Sequence, residues 1–134
     1  MKLKSGIYFT NNTTSNILGE FSLITPNIFF EVQNNNLIYS KGKAKVKCSL
    51  FWSLSLKNLK REMNEPLENS DAEISILQNN EIIAKYPVKL HDKEEIFGDE
   101  IPIELKLKDL LSISIEFDKT KEILISSGFL VVNE

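Results

Sequence analysis

The chain has 134 residues, is 42% hydrophobic and carries a net charge of −3. That is the size of one domain, residues 1–134, able to close a core without a metal or crosslink. Cys48 is the only cysteine and His91 the only histidine, which excludes a disulfide framework, a cysteine-based zinc site and any catalytic arrangement needing two histidines. An acidic chain with five glycines, none in a phosphate-loop pattern, also excludes the common nucleotide fingerprints and a basic nucleic-acid-binding domain. Charge is uneven: residues 1–67 sum to +5 and residues 68–134 to −8. In an antiparallel fold such halves lie side by side and pair across strands. Left unpaired, they would steer a partner.

At the N-terminus, the apolar run Gly6 to Phe9 meets a polar cluster after four residues. A secretory signal needs roughly 7 to 15 apolar residues, and a membrane span roughly 20. We therefore expect a cytoplasmic protein without membrane association. The sequons at Asn11 and Asn12 would matter only in an exported chain.

Strands are expected over 3–10, 18–24 and 27–33, broken at Thr25-Pro26-Asn27 and ended by Asn34 to Asn36. The next apolar alternation runs from Ile38 to Leu56, through even positions that include Val46, Cys48, Leu50, Trp52 and Leu54. At about 3.3 Å per residue it would span roughly 63 Å, too long for one straight strand in this domain. It is divided here into strands 37–47 and 48–56, with the bend or passage between sheets at Gly42 or at Cys48-Ser49. Lys41, Lys43, Lys45 and Lys47 fall on the opposite parity, at about 7 Å spacing. Such a row is either the wet, aggregation-resistant side of a strand or a binding surface. Phe29, Tyr39 and Phe51 stand off the apolar parity, as aromatics do on a sheet face covered by a partner, a ligand or a loop.

Residues 57–71 are the longest interruption in the strand pattern, a polar loop or a turn or two of helix near 58–64, ended by Pro66. Strands 72–78 and 81–90 follow, joined by Asn79-Asn80, with Ile83 a blemish in the second. HDKEEIFGDE, residues 91–100, reads as a solvated acidic loop, without the order of a calcium loop. Strands 101–107 and 112–118 meet at a corner over 108–111, where Asp109 breaks the apolar parity. Strand 122–132 closes the chain after the polar turn 118–121, and sequential strands are expected to pair as hairpins.

Ten short strands predict an all-β antiparallel sandwich with at most one short helix, the alternative being a closed up-and-down barrel. The expected core includes Val46, Leu50, Trp52, Leu54, Tyr86, Val88, Leu105, Ile113 and Ile115. With no catalytic motif, no cofactor and no metal ligand set, the expectation is a non-enzymatic module that binds another protein rather than nucleic acid. Its candidate binding residues are Lys43, Lys45, Lys47 and Phe51. The alternative function is a small-ligand binder with a cavity inside a barrel, and a hydrolase built on His91 and the acidic loop is a distant third.

Overall fold

The computed structural model describes residues 2–10, 12–59, 71–91, 93–118 and 120–134. Ten strands follow in order: β1 (Lys4–Phe9), β2 (Ser22–Leu23), β3 (Phe30–Gln33), β4 (Asn36–Tyr39), β5 (Lys45–Asn58), β6 (Ala72–Gln78), β7 (Glu81–Val88), β8 (Glu95–Lys106), β9 (Leu110–Glu116) and β10 (Ile123–Asn133). They form two antiparallel sheets, ordered β2-β1-β10-β5-β8 and β3-β4-β9-β6-β7. The sheets face each other without closing, so the fold is a sandwich and the barrel alternative is set aside. Among the described residues there is no helix, and none long and apolar enough to cross a membrane. The helical turn expected near 58–64 lies mostly outside the described residues, and its first residue, Asn58, ends β5.

The long alternating run does change sheets, and it does so at residues 40–44. β4 belongs to the second sheet and β5 to the first. Gly42 sits in this crossing at φ +132°, a backbone that side chains resist. From Lys45 the strand then runs through Cys48-Ser49 without a break, so the boundary expected between 47 and 48 is absent. The shift moves Tyr39 into the core, where it is fully buried in phase with Leu37 and stacks on Phe30 at 5.3 Å. Its off-parity reading is corrected, because parity cannot be carried through a crossing.

A second crossing lies against the first. Asp109, in the corner between β8 and β9, is buried and accepts from Gln78 Nε2 and Asn79 Nδ2 at 2.9 Å each and from the Lys106 N–H at 2.8 Å. Burial pushes its carboxyl up, but these donors outweigh it and hold the group below the usual range. The Lys108 N–H donates to Tyr39 O at 2.6 Å, the Leu107 N–H to Ala44 O at 3.2 Å, and the Tyr39 hydroxyl to Lys43 O at 2.8 Å. The two passages between sheets are thus bonded to each other.

Consecutive strands pair as β1-β2, across a long connection, and as two tight hairpins at paired asparagines. Asn34-Asn35 and Asn79-Asn80 all have positive φ, between 51° and 65°, the backbone of tight hairpin turns. The breaks near 25–27, 108–111 and 118–121 instead carry the chain to the other sheet, so the hairpins expected there are crossings. Strands expected over 18–24 and 27–33 shrink to β2 and β3, while Glu95 to Glu100, read as loop, belongs to β8.

Two bulges reset which side chains face inward. Ile83 is the extra residue of β7 against β6, which explains the blemish in its alternation and leaves Ile82 half exposed. Ser126 is extra in β10, so Ile123 and Ile125 before it and Leu130 and Val132 after it are all buried. Of the expected core, all are buried except Tyr86, which is half-buried at the β7 margin and stacks on Trp52 at 4.8 Å.

At one end of the sandwich, Asp71 is buried between the sheets. It accepts the Leu90 N–H at 2.6 Å and pairs with Lys121 at 3.2 Å and Lys89 at 3.6 Å. Burial would raise its pKa, but the Leu90 N–H and the two ammonium groups more than offset it and hold the carboxylate charged.

Candidate protein-binding face

Register brings apolar side chains together on the outer side of the first sheet. Val131 lies between Gly6 and Phe51, and Ile24 bonds through its N–H to Gly6 O. One strand position along, Phe129 lies between Tyr8 and Ser53. Gly6 has no side chain because Val131 and Ile24 cover it: an added Cβ would meet Val131 Cγ2 at 2.7 Å. The result is two adjoining cross-strand rows with a shallow hollow of about 490 Å³ lined by Tyr8, Ile24, Phe129 and Val131. Ile24 is 47% exposed, Tyr8 40% and Phe129 39%, so these side chains are half in water without a neighbour to cover them among the described residues. Phe51 stands half-buried beside Val131. Apolar surface of this extent, rimmed by charge, is what recognition surfaces show.

The candidate residues named from sequence divide. Lys45 and Lys47 lie on β5 on this face, with Phe51 four residues along the same strand side. Lys47 stands opposite Glu104, and Lys45 opposite Lys106. Lys43 lies in the crossing, 74% exposed, with its ammonium 3.9 Å from Glu134. Lys41 is an exposed turn residue. The row of four is therefore two strand lysines and two from a connection. Lys4, beside Asn133, adds a further cation to the same margin.

The opposite margin is polar and acidic. Glu94 accepts from Ser55 Oγ at 2.9 Å and from the hydroxyl of Ser126, and these bonds keep its carboxyl ionised below the usual range. Asp99 accepts the Tyr86 hydroxyl at 2.8 Å across the gap between β7 and β8, which lowers its own pKa. Burial, and then that charge, raise the Tyr86 phenol.

His91 places Nδ1 2.6 Å from Glu95 Oε1 in an exposed pair. Cys48 is buried, and burial followed by the charge of Glu134 pushes its thiol up to about 11, so it is a protonated, weakly nucleophilic group. No three His, Cys, Asp or Glu side chains converge as a metal-ligand set among the described residues.

Tyr8, Ile24, Phe129 and Val131 were not anticipated as site residues. The usable signal was the unbroken apolar runs Ile7-Tyr8-Phe9 and Phe129-Leu130-Val131-Val132, since a strand apolar at successive positions is apolar on both faces. No family model matches the chain, and no curated protein matches it significantly.

Proposed function

We propose that this protein is a non-catalytic interaction module that binds another protein through the outer face of its first sheet. The observation that carries this reading is the contiguous, half-exposed set Tyr8, Ile24, Phe51, Phe129 and Val131. Aromatic side chains anchor interfaces because they bury large area with few rotamers to freeze. Lys4, Lys45 and Lys47 on one margin favour a partner with an acidic border, which they would attract over a distance. The reading is of a cytoplasmic protein acting without cofactor, metal or nucleic acid. The ligand-binding alternative loses its main support, since the closed barrel that would hold an interior cavity is not formed.

The test is photo-crosslinking in the native cell with a benzoylphenylalanine placed at Phe129 or Tyr8 and, for comparison, at Ser112 or Ser114 on the second sheet. One discrete protein adduct from the first pair and none from the second is the expected result. Equal labelling from both faces would end the reading.

A further inference from the structure

β8 is a 12-residue strand at the margin of the first sheet, with β5 on one side and no strand on the other among the described residues. Alternate residues of an antiparallel edge strand turn N–H and C=O away from the ladder. Four observations fix which ones. Pro102 has no N–H. The Glu100 N–H is taken by Asp99 Oδ1 at 2.8 Å, and the Lys106 N–H by Asp109 Oδ2 at 2.8 Å. The Glu104 C=O accepts from Gln78 Nε2 at 3.0 Å. The outward groups therefore belong to the even residues, and the unbroken register with β5 carries that phase to Ile96 and Gly98.

The margin is thus blunted from Glu100 to Lys106 and open from Ile96 to Gly98, where no described residue caps the backbone. An unguarded length of edge is a template on which another chain can pair. Here the protection stops where the strand is most accessible: Ile96 is 77% exposed, and Gly98 presents no side chain to an approaching backbone.

We infer that the Glu95–Glu100 half of β8 receives an extended, basic segment of a partner protein by strand addition. Charge selects the occupant, for residues 93–100 read KEEIFGDE, four carboxylates to one lysine. A second copy of β8 paired about a two-fold axis at Phe97, the register that joins Ile96 to Gly98 in both copies, would oppose Glu95 to Asp99, and like charges across strands destabilise. A segment with lysine or arginine at alternate positions places them on the side of the sheet that Glu95 and Asp99 share, and its backbone supplies the missing hydrogen bonds. Ile96 also lines a hollow with Tyr8 and Phe129, so an added strand continues the first sheet beside the apolar face. The inference stands on the backbone of β8 and does not require the face to bind anything.

The experiment is amide hydrogen exchange by NMR on the whole chain, with a heptapeptide of alternating lysine and valine as probe. In the free chain the Ile96 and Gly98 amides should exchange fast, while Phe97, which faces β5, is protected. Millimolar peptide should slow both outward amides by about tenfold or more, the scale of a bound, hydrogen-bonded fraction. A glutamate–valine counterpart should not. Ile96→Pro removes an outward donor at the parity Pro102 already occupies and should abolish the protection of Gly98, whereas Ile96→Val should retain it. Gly98 itself is a poor target, because an added Cβ would lie 2.6 Å from Trp52 O. If Ile96→Pro fails to fold, the wild-type chain with the lysine peptide N-methylated at alternate amides gives the same reading, and undiminished protection overturns the proposal. So does slow exchange of Ile96 and Gly98 in the free chain, no response to the lysine peptide, or equal response to both peptides. Phe129→Ser should leave the peptide response intact, so failure of the face and failure of the edge are seen separately.

Discussion

The outer faces of the two sheets obey the same alternation of strand side chains, but only the first carries aromatic ones. The second sheet shows water Glu31, Glu73, Lys85, Ser112, Ser114 and Glu116, with the aliphatic side chains Ile38, Leu77, Ile82 and Leu110 on the same side nearer its two asparagine turns. The first shows Tyr8, Ile24, Phe51, Phe129 and Val131, with Lys4, Lys45 and Lys47 at one margin. The second face folds under serine, glutamate and a few aliphatic side chains, with no aromatic on the outer side of its strands among the described residues. The aromatic coat of the first is therefore not a requirement of folding, and the contrast is what gives it meaning.

The comparison presumes that both faces lie over one shared interior. Leu54 lies beneath the first and Ile113 beneath the second, both buried. Leu54→Ala and Ile113→Ala should each cost about 2 to 5 kcal/mol in urea unfolding. A loss at one and less than about half a kcal/mol at the other, within the scatter of surface changes, would mean the faces rest on separate supports and cannot be compared.

A second measurement separates the faces from the seam. The Asp71 carboxyl is depressed below its unfolded value, so the stability it contributes is present above about pH 4. That contribution is lost as pH falls through the folded value. Asp71→Asn should cost about 3 kcal/mol at neutral pH by removing a buried carboxylate that pairs with Lys89 and Lys121, and the gap from wild type should close in acid. A gap independent of pH would assign the effect to packing instead of charge.

Smaller effects distinguish the coats themselves. Phe129→Ser should cost about 1 kcal/mol, since its ring is only partly buried, yet remove the crosslinked adduct. Ser114→Ala on the other face should change neither. If Phe129→Ser costs as much as a core truncation, the aromatic face is structural. Smallest of all, replacing Lys43, Lys45 and Lys47 by glutamine should alter stability by about 0 to 1 kcal/mol per residue. Association with the crosslinked partner should slow, and the wild-type rate should fall with salt. Lys43→Gln alone should have little effect, as Lys43 stands off the face.

Much of this was readable from residues alone. Alternation identified the strands and most of the core, and Gly42 marked a change of direction in a run too long to be straight. Asp109 marked another, because a carboxylate on an apolar parity has to be held by donors. The apolar face was only partly readable: the run Ile7-Tyr8-Phe9 signals it, but alternation is measured relative to a starting phase, and Ser126 resets that phase by one residue within β10. Phe129 and Val131 then look like core until the bulge is placed. The lysine row was misread in part for a related reason: Lys41 and Lys43 share parity with Lys45 and Lys47 in the sequence, but lie in a segment that is no longer strand. Part of the charge imbalance between the halves is internal, since the first sheet interleaves strands of both and sets Lys47 opposite Glu104.

The bonded pair of crossings at 40–44 and 107–109 bears on how the chain folds. Tyr39 reaches Lys108 and Asp109, and Ala44 reaches Leu107, contacts that close a large loop before any local reward offsets its entropy. Neither sheet can lock its register until the other has arrived, because each passage is the other's hydrogen-bond partner. Folding of this chain should accordingly be slow on the scale of small domains, in the millisecond-to-second range typical of non-local β topologies, roughly 10⁻³ to 1 s. Mutations in the clasp should alter the rate of reaching the native state more than substitutions on either coat.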